Sequence, residues 1–143
     1  RSSDLDPGAI IIRLHHDEQE TQLTGPSVAS WTGPVVVLIN RGTSGVAEAL
    51  AASLRDHDRA TILGTRSAGQ GIQTSHFPAG RGFVLEIADT HLGPPTGKSW
   101  HSVGVVPDIT VEAQPLSIPD PSSPLIPDLQ RDAALRLISM TGG

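Results

Sequence analysis

Cysteine is absent from this 143-residue chain, which excludes disulfides, thiolate nucleophiles and cysteine-ligated metals and leaves the redox compartment open. Aromatic residues are scarce, two tryptophans and two phenylalanines, so aliphatic side chains must fill the core. No long hydrophobic run exists. The longest, Val35 to Ile39, is far too short to span a bilayer, and the polar start RSSDLD has no signal-peptide pattern, so a soluble chain is expected. Positive charge is also short: the net charge of −5, with no basic run and no interleaved aromatics, argues against a nucleic-acid partner. The chain opens on Arg1 and its one methionine is Met140, so it reads as a piece of a longer product.

What is present is globular. An apolar share of 37% against a charged share of 17% suits a packed domain, and 143 residues can bury a core without metals or disulfides. Twelve prolines and fifteen glycines imply many turns. AIIIRL (Ala9 to Leu14) reads as a short buried strand, followed by the polar turn or hairpin HHDEQETQ. PVVVLIN is a β-branched run of the kind found in a parallel sheet with both faces covered. Val46, Ala47, Leu50, Ala51 and Leu54 then recur at helical spacing, with Glu48, Arg55 and Asp56 on more polar sides. RATILG (Arg59 to Gly64) completes a βαβ unit with an expected right-handed crossover, which makes the class α/β.

Beyond it, TRSAGQGIQTS reads as a glycine-rich loop and GFVLEIA as a strand after the turn Ala79 to Gly82. THLGPPTGKSWHSVG is irregular, VVPDITVEA is extended, and QPLSIPDPSSPLIP is a proline-rich surface strap. In DLQRDAALRLISM the positions Leu129, Ala133 and Leu137 form the apolar face of a closing helix, with Pro127 near its first turn. The expected organisation is a core over 1–113, the strap over 114–126 and the helix over 127–143 packed on the same domain.

NRGTSGVAEAL is where chemistry could sit, since a strand turning sharply into a helix offers unpaired N–H groups and a positive dipole end to an oxyanion. The same geometry needs only a cap, and Thr43 or Ser44 supplies an ordinary one. Asp56 and Arg59 likewise read either as site residues or as a surface ion pair at a helix end. HHDE (His15 to Glu18) lacks metal-ligand spacing and reads as a solvated turn, and the glycine-rich stretches lack phosphate-loop flanks. No metal and no cofactor is expected.

GPVVVLINRGTSGVAEALAASLRDHDRATILGTRSAGQG resembles the core of the tail-specific, or carboxy-terminal processing, serine proteases. Members run from a strand through a small-residue elbow, with a glutamate three positions after the catalytic serine, to an Arg-Ala strand and a Gly-Lys-Gly loop. LGPPTGKSWHSVGVVPDITVE resembles a second family segment, with Thr96, Gly97, Ser99, Gly104, Val105, Pro107 and Asp108 in corresponding places. The resemblance spans roughly Gly8 to Glu112. It implies the C-terminal part of an α/β protease core related in shape to the crotonase and Clp protease folds, acting on polypeptides or protein C-termini outside the cytoplasm. A second chain, or an N-terminal part with a peptide-binding domain and a Gly-Gly strand, would complete that core.

Carried over residue by residue, the resemblance puts the nucleophile at Gly45 and the general-base lysine at Gln70, with the family's separation of twenty-five residues kept. Neither residue can do that chemistry, because glycine has no hydroxyl and an amide does not take the proton. Asp56 matches an acidic position after the helix, Gln73 a supporting glutamine, and the Val46 N–H an oxyanion donor. The resulting expectation is a protease-like domain that has lost serine–lysine hydrolysis and keeps a peptide groove or an assembly role. Two alternatives stay open: an active endopeptidase using Ser44, with His57, His76 or His101 as base, or residues outside this chain; and a purely structural or interaction domain.

Overall fold

The structure, a computed structural model, describes residues 8–25, 31, 33–96, 98–112 and 128–141. The strap expected at 114–126 lies outside these residues. In chain order the elements are β1 (Ile10–His16), β2 (Gln19–Thr24), β3 (Val36–Ile39), α1 (Val46–Asp56), β4 (Thr61–Gly64), β5 (Ile72–Gly80), β6 (Phe83–Gly93), β7 (Ile109–Thr110) and α2 (Leu129–Thr141). Two sheets result, an antiparallel one ordered β2-β1-β6-β5 and a parallel one ordered β3-β4-β7. The class is α/β, as the βαβ pattern implies, and β3 and β4 pair parallel across α1 with Val36 opposite Thr61 and Ile39 opposite Gly64.

The core lies where α1 meets both sheets. Ile12 and Leu92 from the antiparallel sheet, Ile39 and Ile62 from the parallel one, and Ala49, Ala51 and Ala52 from α1 form one cluster with Trp100 and Val105. Alanines on the inner face let the helix axis come close to the strands, so the two sheets share one thin layer of aliphatic contacts. Asp108 ties the last strand to this layer, since its Oδ2 accepts the Ile62 N–H at 2.8 Å and its own N–H returns to the Ile62 carbonyl at 2.8 Å. On the other side of the parallel sheet, Leu63 and Ile109 line an open cavity with Leu129, Ala133 and Leu137 of α2.

Four sequence expectations need correction. The inner face of α1 is not the stripe of larger aliphatics: Val46 and Leu50 are 58% and 51% exposed, while Glu48 is fully buried. Polar partners in the following loop draw Glu48 inward and turn the helix accordingly. PVVVLIN is not covered on both faces, because β3 is an edge strand and Leu38 remains 41% exposed. The loop read as TRSAGQGIQTS ends at Gly71, and β5 begins at Ile72, running antiparallel to a longer β6. β5 is also an edge strand, the position where a proline such as Pro78 is tolerated in a sheet. Finally, α2 buries Gln130 and Ala134 rather than Leu129, which is 46% exposed, because Gln130 Nε2 donates to the Val111 carbonyl at 2.8 Å.

The contrast between the two faces is testable. Ile62→Ala opens a cavity at a fully buried site and is expected to lower stability by about 3 kcal/mol, whereas Leu38→Ala on the open edge lowers it by under about 1 kcal/mol. Urea unfolding of both variants followed by circular dichroism checks the ratio, and equal losses would contradict the placement of the core.

Candidate active site

The turn between β3 and α1 is shaped by short-range bonds. Asn40 Oδ1 accepts the Gly42 N–H at 2.8 Å, and Thr43 Oγ1 accepts the Asn40 N–H at 3.1 Å. The Thr43 N–H closes the turn on the Asn40 carbonyl at 2.9 Å. The chain then enters the helix through Gly45, which is the N-cap with φ 59° and ψ −124°. Thr43 and Ser44 are therefore not the cap: the Thr43 hydroxyl serves Asn40, and Ser44 lies one residue before the cap with its carbonyl accepting the Ala47 N–H at 3.2 Å.

Gly45 occupies a positive-φ conformation that a side-chain-bearing residue enters only with strain of about 1–3 kcal/mol. The space around it is nevertheless open. A Cβ at this position would meet only the Gln70 carbonyl oxygen, at 3.9 Å, which is ordinary contact. A larger residue here is opposed by backbone conformation and not by crowding.

Glu48 clasps this turn to the loop between β4 and β5. One carboxylate oxygen, Oε1, accepts the Ser67 hydroxyl and the Gly69 N–H, the latter at 2.6 Å. The other, Oε2, accepts the Gly45 N–H at 3.0 Å and the Gln70 N–H at 2.8 Å. The Gly45 contact is the glutamate half of a capping box, reaching back from the third helical position to the cap. The backbones also meet directly, with Gly45 N–H on the Gln70 carbonyl at 3.1 Å and Ala68 N–H on the Thr43 carbonyl at 2.9 Å. Ser67 passes the connection onward, since its Oγ accepts the Val105 N–H at 2.7 Å. Gly69 must be glycine for this approach: its φ is +80° and a Cβ would lie 2.9 Å from the Gly104 nitrogen.

Of the residues singled out in the sequence, Gly45 and Gln70 are brought together, backbone to backbone, and the Gln70 side chain is exposed. Val46 sits at the first helical position, where its N–H meets no acceptor among the described residues. Gln73 lies on β5, exposed and paired with Thr90 of β6. Asp56 is at the far end of α1, roughly 16 Å along the axis from Gly45 at a rise of about 1.5 Å per residue. There its Oδ2 accepts the Thr96 hydroxyl at 2.7 Å, so it anchors the segment after β6. The ion pair with Arg59 is not formed among the described residues, because Arg59 Nη2 donates to the Trp31 carbonyl at 2.6 Å.

No hydrogen bond among the described residues links Ser44 to a histidine. His57 is bonded to the Ile10 carbonyl at 2.7 Å, His76 stands beside Glu86 at 3.9 Å, and His101 packs edge-on to His91 at 5.8 Å between ring centroids. His15 and His16 sit on β1 near Glu20 and Asp89, and among the described residues no cluster of three or more such side chains is arranged to hold a metal ion.

The sequence places Glu48 on a polar side of the helix and three positions after Gly45, and nothing in it marks Ser67 or Gly69 as a partner of that carboxylate. The pattern that could have exposed Glu48 is its three-residue offset from a cap glycine; nothing local marks Ser67, whose partners are nineteen and thirty-eight residues away.

The geometry stands beside clear similarities to known proteins. The family model for peptidase family S41 matches residues 5–111. A carboxyl-terminal-processing protease of Synechocystis sp. is 32% identical over 139 residues, covering 97% of this chain and 32% of that protein. A carboxy-terminal-processing protease of Bartonella bacilliformis is 42% identical over 83 residues, 58% of this chain and 19% of that protein. Among solved structures, a photosystem II D1 C-terminal processing protease matches with a TM-score of 0.63 at 27% identity, over 78% of this chain and 29% of that one. The expected α/β protease core is thus the fold observed, and the chain spans about a third or less of the length of these three proteins.

Two substitutions separate the clasp from the elbow it holds. Glu48→Gln places an N–H2 group among four donors and is expected to lower stability by roughly 3 kcal/mol. Gly45→Ser is expected to fold, with a loss of about 1–2 kcal/mol from backbone strain alone. Chemical denaturation of both variants checks the order, and a Glu48→Gln protein as stable as wild type would refute the clasp.

Proposed function

The chain belongs to peptidase family S41, and from that premise we propose that it is a protease-like domain that binds polypeptide without cutting it. The observation that carries this reading is Gly45 at the elbow: the turn, the Glu48 clasp and the loop that follows are all built, and the residue at their junction has no side chain. Serine–lysine hydrolysis requires a hydroxyl whose proton passes to a neutral amine, and Gly45 and Gln70 supply neither. Loss of a nucleophile alone lowers turnover by about six orders of magnitude in a well-studied serine protease, so loss of both partners leaves no route through this pair. The Val46 N–H, at the positive end of α1, remains able to receive a peptide carbonyl.

The supports for the finer points are of two kinds. Packing of α2 on the parallel sheet supports treating the core over 1–113 and the helix over 127–143 as one domain. Family membership supports an extracytoplasmic setting and a polypeptide or protein C-terminus as ligand, with a second chain or a further part of the same product completing the groove. The edge strands β3 and β5, like β2 and β7, carry no further strand along their outer side among the described residues.

A fluorophosphonate probe and a fluorescent unstructured peptide test the proposal together. The wild-type chain is expected to bind the peptide saturably, to leave it intact, and to remain unlabelled; labelling at Ser44 with peptide cleavage would overturn the reading in favour of an active endopeptidase. Failure of any peptide to bind would favour an interaction domain without a groove.

A further inference from the structure

Next to the elbow lies a pair of cations that the hydrolytic scaffold does not use. Arg41 stands in the β3–α1 turn and Arg66 in the β4–β5 loop, and both line one open cavity of about 560 Å³ together with Ser67, Ala68 and Val103. Arg13, Arg55, Arg59 and Arg131 find acceptors within the chain, on Glu20, the Val106 carbonyl, the Trp31 carbonyl and Asp132, whereas Arg81 and Arg136, elsewhere on the surface, make no side-chain hydrogen bond or ion pair among the described residues. Among the described residues Arg41 and Arg66 make no ion pair and no side-chain hydrogen bond, and the cavity they share contains no carboxylate in its lining.

The acid linked to this cavity wall is Glu48, through Ser67, and among the described residues it makes no ion pair with either arginine. It is fully buried, and both of its oxygens are occupied by the clasp. Two arginines thus line the same open space on a chain whose overall charge is −5. Their backbones are fixed relative to one another, because the Ala68 N–H donates to the Thr43 carbonyl at 2.9 Å and joins the turn to the loop. Arg66 also runs beside Gly104, its Cγ lying 3.0 Å from where a Cβ on that glycine would stand. Guanidinium forks match the planar, two-oxygen geometry of a carboxylate better than a point charge does. Val103, 57% exposed on the same wall, offers an apolar surface to the residue that bears the acid.

We propose that Arg41 and Arg66 form a carboxylate-binding site that fixes one acidic group of a polypeptide lying against the elbow. This rests on the peptide-binding reading above for its ligand, though not for its chemistry. The carboxylate has two sources, the α-carboxylate of a chain terminus or the side chain of an internal aspartate or glutamate.

Nuclear magnetic resonance of the ¹⁵N-labelled 143-residue chain tests the site without assuming that peptides bind. N-acetylalanine, a small free carboxylate, is expected to shift the Nε–Hε signals of Arg41 and Arg66 and the Ala68 amide saturably, while N-acetylalaninamide leaves them in place. An Arg41→Gln/Arg66→Gln variant, both positions being exposed, should keep the wild-type melting temperature and lose the shift of the Ala68 amide, the signal it retains. Three fluorescent peptides then identify the source: one with a free C-terminus, its amide, and an amide carrying an internal glutamate. The double variant is expected to weaken the preferred acidic peptide about tenfold and to flatten the salt dependence of binding. Absence of shifts with N-acetylalanine, or shifts that persist in the double variant, would overturn the proposal. Saturable N-acetylalanine binding with no peptide binding would uphold the carboxylate site and refute the peptide-binding reading, and peptide binding indifferent to both substitutions would do the reverse.

Discussion

The Glu48 carboxylate receives four hydrogen bonds from two chain segments that meet nowhere else in sequence, Gly45 at the helix cap and Ser67, Gly69 and Gln70 in the following loop. Withdrawing a carboxylate from water costs several kcal/mol, and the loss is offset only when its lone pairs are filled in good geometry. Here each oxygen accepts two donors. The arrangement is therefore stable as a unit and costly in any partial form, which makes the turn and the loop behave as one rigid piece. Ser67 extends that piece to Val105, and the Ser102 N–H on the Gly69 carbonyl at 2.8 Å adds a second link to the same segment.

The two sequence blocks that carry the family resemblance turn out to be hydrogen-bonded to one another. Asp56 holds Thr96, Ile62 exchanges bonds with Asp108, and Ser67 holds Val105. Each pair joins a residue near α1, β4 or its loop to one about forty residues later, so the second block is a structural brace for the first. Spacing along the chain reveals that both blocks are present but not that they touch. That is why Asp56 reads in sequence as a site candidate: its partner, Thr96, is visible only in three dimensions.

The elements that were legible are those with strong local periodicity. VVVLIN, the helix after Gly45 and ATILG emerge as a parallel βαβ unit because β-branched runs and a 3.6-residue repeat are local signals. The helix faces were less legible. Glu48 and Gln130 are polar by type, yet each is buried because it satisfies backbone groups of a neighbouring segment, and each rotates its helix to do so. β5 was hidden for a related reason. Its residues Gln73, His76 and Pro78 face solvent on an edge strand, so the stretch lacks the apolar alternation of a half-buried one. At the site, Gly45 and Gln70 could be placed in register from the blocks alone, whereas Ser67 and the neighbouring arginine pair depend on how two loops pack.

A positive-φ cap explains why this scaffold can persist around a glycine. The elbow conformation is imposed by bonds to the Gly45 backbone, one from each of Glu48 and Gln70, and these do not depend on what side chain the position carries. A serine held there would store strain of about 1–3 kcal/mol, tolerated because the surroundings over-determine the backbone. Glycine removes that strain and disturbs no hydrogen bond of the clasp. The same clasp fixes the backbone on either side of the elbow, the Val46 N–H at the start of the helix and the turn and loop that carry Arg41 and Arg66.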